Sequence, residues 1–187
     1  LSVKSSEDPL WLDALKGLER GDFSRLAPLF DQPPSPGGDK CRIIDWYEQG
    51  NFDNEPKALA EALTCACFLG RTAVADFLLT QGVDPAAGTG TGLSGFHWAA
   101  NRGNLDTVEL LIERKAPLEQ ENMYGGTVLA CAVWSAIHES SADHLPIIEA
   151  LIAAGAKIEA IDPADYPTGN KRIDEALRRH GAESQNS

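Results

Sequence analysis

The side chains with the most evident capacity for chemistry gather at His138, Glu139, Asp143 and His144. Imidazole and carboxylate are the usual ligands of divalent metals. A helical zinc site, however, spaces its two histidines four residues apart so that both rings leave one face. Here the second histidine lies six residues beyond the first, so the pair does not share a face by that rule. The cluster is expected to be a solvated insertion, and no metal ligand is assigned.

Four cysteines, Cys41, Cys65, Cys67 and Cys131, are the candidate nucleophiles. Cys65 and Cys67 face different ways on one expected helix, which suits neither a mutual disulfide nor a two-cysteine zinc knuckle. Cys65, Cys67 and Cys131 stand beside Ala66, Ala130 and Ala132 in apolar helix interiors, where a neutral thiol is expected. The Gly-rich run from Gly88 to Gly92 lacks the Lys-Ser/Thr ending of a phosphate loop and follows no strand, so it reads as a turn. No catalytic residue and no cofactor follow from these residues, and the chain is not expected to be an enzyme.

Composition narrows the partners. The chain has 187 residues, 43% hydrophobic and 24% charged, as a folded globular protein requires. Its 28 acidic against 16 basic residues leave a net charge of -12, a field that disfavours nucleic acid and anionic lipid. No apolar run is long enough to span a bilayer. A protein or peptide partner, one with a basic segment above all, fits this field, and a cytoplasmic location with reduced thiols is expected.

The elements that must position these groups repeat. VADFLLTQGVD, VELLIERKAP and IEALIAAGAK end alike, with turn positions at Gly82, Lys115 and Gly155. The intervals are 33 and 40 residues, and a last helix turns at Gly181, only 26 residues later. Between Gly92 and Ala116 the full unit is visible: a turn, a helix through Phe96 to Asn101 with small residues at Ala99 and Ala100, a break at Gly103, and a second helix from Asp106. Such a helix–turn–helix unit cannot bury its apolar face alone and must stack on copies of itself.

In this pattern the sequence resembles the ankyrin-repeat family. The family's turn-and-helix signature is matched by Gly92, Ser94-Gly95, Phe96-His97 and Ala99-Ala100, and again by Gly125, Thr127-Val128, Leu129-Ala130 and Ala132-Val133. A more worn unit carries Leu63, Thr64 and Ala66-Cys67 before Gly70. The family's proline is replaced by Gly95 and Val128, and its histidine survives only at His97, where it reads as structural.

The expected architecture is all-α, an ankyrin-repeat solenoid of helix-turn-helix units with short β-hairpin-like connecting tips, forming one domain over 1–187. Its parts are a divergent N-terminal unit at 8–57 with a Pro/Gly-rich insertion, repeats at 58–90 and 91–123, a repeat at 124–163 with a seven-residue insertion, and a truncated cap at 164–183.

The resemblance implies a binding face built from the tips and the first helices. On this chain that face comprises Thr89, Thr91 and Leu93 from one tip and Asn122, Met123 and Tyr124 from the next. Asn101 and Arg102 with Trp134 and Ser135 line the helical wall, and Asp165 and Tyr166 continue it. Trp98 aligns with Cys65 and Cys131 and is expected inside. The implied function is non-catalytic recognition of a protein or peptide on the concave face, by a monomer or weak homodimer. The alternatives are a structural or self-assembling role, with Trp46 and Tyr47 as a rival patch, and, ranked lower, metal or small-molecule binding.

Overall fold

Helix starts and stops follow local rules along the chain. Asp8 accepts the Leu10 N–H at 2.8 Å ahead of Pro9, which opens the first helix, α1 (Pro9–Leu18). Then come α2 (Ala27–Asp31), α3 (Arg42–Glu48), α4 (Pro56–Phe68), α5 (Thr72–Thr80), α6 (Gly95–Asn101), α7 (Leu105–Glu113), α8 (Val128–His138), α9 (Leu145–Ala153) and α10 (Lys171–Arg179). The computed structural model describes residues 4, 7–18, 22, 24–31, 40–88, 92–139 and 142–182. Much of the expected Pro/Gly-rich insertion (32–39), Gly21, and Thr89 and Thr91 lie outside the described residues.

At Gly103 the chain takes φ +78°, which lets the Asn104 N–H reach the Ala99 carbonyl at 3.0 Å and the Gly103 N–H that of Ala100 at 3.3 Å. This paired closure ends α6 in a left-handed residue that glycine adopts at least cost. The same closure ends α4: the Arg71 N–H meets the Ala66 carbonyl and the Gly70 N–H that of Cys67. Asn104 then donates its side-chain amide to the carbonyls of Cys67 and Phe68, at 2.8 and 3.1 Å, so one unit satisfies the helix end of the unit before it.

The helices stack in two rows. First helices α4, α6 and α8 pack side by side, and second helices α5, α7, α9 and α10 form the other row, with α3 against α5. Small residues permit the close approach: Ala62, Ala66, Ala99, Ala100 and Ala132 are fully buried, among Leu63, Phe96, Leu111, Leu129 and Ile148. A Cβ on Gly95 would stand 2.8 Å from the Cys67 sulfur. Ion pairs join neighbours of the outer row, Arg114 with Asp76 and Arg179 with Glu149. Farther toward the N-terminus, Arg71 binds Asp31 and holds its carboxyl below the usual carboxylate range through that hydrogen bond. Trp46 is buried and Tyr47 packs edge-on against Phe77, centroids 5.4 Å apart, so this pair belongs to the core rather than to an open patch.

The expected β-hairpin-like tips do not form. Among the described residues there is no β-strand; a single antiparallel bridge joins Gly88 and Ser94. Backbone donors that a ladder would use go instead to side chains in tight turns. Asp84 accepts from the Ala86 N–H at 2.8 Å, and Asn122 from the N–H groups of Tyr124 and Gly126 at 2.8 and 3.1 Å. Neighbouring tips are joined by side-chain bonds, such as the Gln120 amide to the Ala86 carbonyl at 2.9 Å.

The last unit is incomplete. Where a further first helix would pack on α8, the chain makes two short 3-10 turns, Ile158–Ala160 and Pro163–Asp165, and both contact α8. Only 26 residues separate Gly155 from Gly181, too few to add a first helix like α6 to the second helix α10 in a unit that normally takes about 33 residues.

Candidate functional site

The short last unit leaves α8 partly uncovered. A groove of about 1200 Å³ opens there, lined by Leu93, by Trp98 and Asn101 of α6, by the tip from Asn122 to Gly126, by Ala130, Cys131 and Trp134 of α8, and by Glu159 to Pro163 with Asp165. Long side chains stand out beside it: Tyr124 is 81% exposed, Met123 63% and Trp134 45%. These are the exposed large apolar groups of the region, whereas the opposite edge of α8, at Leu129, Ala132 and Val133, is fully buried.

Seven of the residues expected on the binding face therefore line one groove: Leu93, Asn101, Asn122, Met123, Tyr124, Trp134 and Asp165. Three others are placed elsewhere. Ser135 is buried, its hydroxyl donating to the Cys131 carbonyl at 2.9 Å and accepting from the Asn101 amide at 2.7 Å. Tyr166 is buried. Arg102 is exposed, but its guanidinium sits 5.0 Å over the Phe68 ring.

Trp98 differs from its expectation. It is half-buried, packs edge-on against Phe68 with centroids 5.2 Å apart, and lines the groove. An indole is too long to be hidden in the place where Cys65 fits. The contribution of Glu159 to Pro163 had no sequence signal beyond the shortened interval, because it arises from how the 3-10 turns pack on α8.

The histidines have separate roles. His97 is fully buried; its Nε2 donates to the Gln120 carbonyl at 3.0 Å while its Nδ1 accepts from Ser94 Oγ at 2.9 Å. Burial holds its imidazole below the usual range, which keeps it neutral in this role. His138 stacks on Trp134, centroids 4.4 Å apart, and stiffens that indole beside the groove. His144 is buried, its Nε2 3.0 Å from the Asn101 carbonyl oxygen and its Nδ1 3.2 Å from that of Ala142. Asp143 accepts the Leu145 N–H at 3.2 Å and pairs with Arg172 at 3.5 Å. His138, Asp143 and His144 thus spend polar atoms on packing and capping, and among the described residues no group of three or more His, Cys, Asp or Glu could hold a metal ion.

Burial pushes the thiols of Cys65, Cys67 and Cys131 up to about 12, with smaller contributions from Glu61, Cys65 and Glu139 respectively. Thiols so placed are packing groups rather than nucleophiles at neutral pH. Glu61, on α4, has its carboxyl raised by burial, with Lys57 opposing. No described helix is long and apolar enough to cross a membrane.

The family model for ankyrin repeats, in three copies, matches residues 63–162, more than half of the chain, and the chain belongs to that family. No curated protein matches it.

Proposed function

We propose that this ankyrin-repeat protein is a non-catalytic recognition module that holds a protein or peptide in the groove over α8. The fold generally serves protein–protein interaction; the groove is the observation that carries the finer reading. Its lining brings together an exposed Tyr, a Trp and a Met on a stacked, well-packed scaffold, the residue types that concentrate at the energetic centres of interfaces. The helices beside the groove are packed on their neighbours, α6 on α4 and α8 and α8 on α6 and α9, which limits the ordering cost of binding. The division of the chain into units, from the N-terminal 8–57 to the cap at 164–183, fits the same reading, in which the cap ends the stack and bounds the groove.

Quantitative affinity capture tests it, with the intact chain, a Tyr124→Ala/Trp134→Ala variant, and a Glu109→Ala/Glu113→Ala control on the exposed side of α7. A stoichiometric protein retained by the wild type and the control and lost with the groove variant is the expected result. A partner indifferent to the groove variant, or lost with the control, removes the reading.

A further inference from the structure

The groove is not uniformly apolar. Glu159, Asp162 and Asp165 line it, and among the described residues no Lys, Arg or His does. Among the described residues, ion pairs occupy carboxylates elsewhere, at Asp13, Asp31, Glu48, Asp76, Asp143, Glu149 and Glu175, and none of the three in the groove takes part in one. One oxygen of Asp162 accepts the Ala164 N–H at 2.8 Å, which fixes the orientation of that carboxylate. A groove of about 1200 Å³ exceeds the size typical of small-ligand pockets, about 300–1,000 Å³, and suits several residues of a chain.

We infer that the occupant is a basic segment of a protein partner carrying an apolar anchor, its Lys or Arg facing Glu159, Asp162 and Asp165 and its apolar side chain lying against Met123, Tyr124 and Trp134. This rests on the groove being the binding face. Charge complementarity selects the class. A nucleic acid or acidic peptide would meet three carboxylates with no cation among the described lining residues, and a wholly apolar segment would desolvate them without return. A segment of mixed character satisfies both parts of the lining, and the net charge of -12 speeds its approach.

The test is selection of random short peptides on the intact chain, followed by titration of the best binder at low and high salt. Three proteins are compared: wild type, Trp134→Ala, and Glu159→Gln/Asp162→Asn/Asp165→Asn, each first shown to melt cooperatively. The expected winners combine Lys or Arg with a large apolar residue. Their affinity falls with salt on the wild type, drops about tenfold on the triple variant and is lost on Trp134→Ala. Winners without basic residues overturn the inference and leave the groove reading standing if Trp134→Ala abolishes their binding. Salt-independent binding to the wild type also overturns the inference, and the groove reading again stands only if Trp134→Ala abolishes that binding. Peptides that bind all three proteins alike, or no selection at all, overturn both.

Discussion

The helices α6 and α8 begin from the same signature and end in different surroundings. Phe96, Ala99 and Ala100 on one, and Leu129, Ala132 and Val133 on the other, are equally buried. Asn101 and Trp134 hold corresponding places at the ends of these runs. Asn101 is bridged, its amide to Ser135 and its carbonyl to His144 of the following unit. Beyond α8 no further first helix follows among the described residues, only two short turns, and Trp134 stands 45% exposed beside the groove. The difference between scaffold and site lies in the next neighbour along the stack, not in the helix itself.

That contrast can be broken most forcefully from inside. Leu129→Ala, at a fully buried position, is expected to cost about 3 kcal/mol by urea unfolding. Trp134→Ala, one turn away on the exposed side, should cost under about 1 kcal/mol. Comparable losses would mean that Trp134 belongs to the core and that the groove is filled by its own chain.

Next in size is the junction between units. An added Cβ at Gly103 would lie 2.4 Å from that of Ala142, at a φ of +78°. Gly103→Ala is expected to cost about 2 kcal/mol, combining left-handed strain with the clash. Adding Ala142→Gly should recover only the clash, which a double-mutant cycle on unfolding free energies measures. Full recovery would show that the backbone conformation carries no cost.

The buried imidazole sharpens the comparison through pH. Because His97 is held below its ordinary value when folded, the unfolded chain takes up that proton first as pH falls. Its contribution is complete above about pH 6.5 and is lost as pH drops from there through the folded value, with a slope of at most about 1.4 kcal/mol per pH unit. His97→Gln should flatten that part of the stability profile between neutral and mildly acidic pH. An unchanged slope in thermal melts would assign the acid sensitivity to other groups.

The smallest effect on stability is expected at Tyr124, 81% exposed. Tyr124→Ala should shift unfolding by no more than about 0.5 kcal/mol while weakening partner capture. A destabilised variant would make the tyrosine a prop of its own turn.

Much of the stack is legible in the residues. Small side chains at Ala99, Ala100 and Ala132, glycine at the ends of α4 and α6, and the apolar runs between turn positions all follow from local chemistry repeated in register. His97 is readable as structural for the same reason, since Ser94 and His97 are near neighbours in sequence and close a local hydrogen bond. The tips were not legible. The strand-like connections that the resemblance implied give way to turns because Asp84 and Asn122 take the backbone donors with their own side chains, a competition settled by geometry. Nor did spacing show that His144 would be consumed by the Asn101 carbonyl, 43 residues away.

The sequence by itself determined the helical units, their order and the shortening of the last one, because periodicity and breaker residues act over a few positions. Only the tertiary structure decided which outward side chains remain available. Ser135 is bonded to Asn101 and Tyr166 is buried, while Trp98, Trp134 and the carboxylates of Glu159, Asp162 and Asp165 share one opening. Exposure at these positions is a property of the neighbouring unit, and residues far apart along the chain become neighbours only when the stack closes.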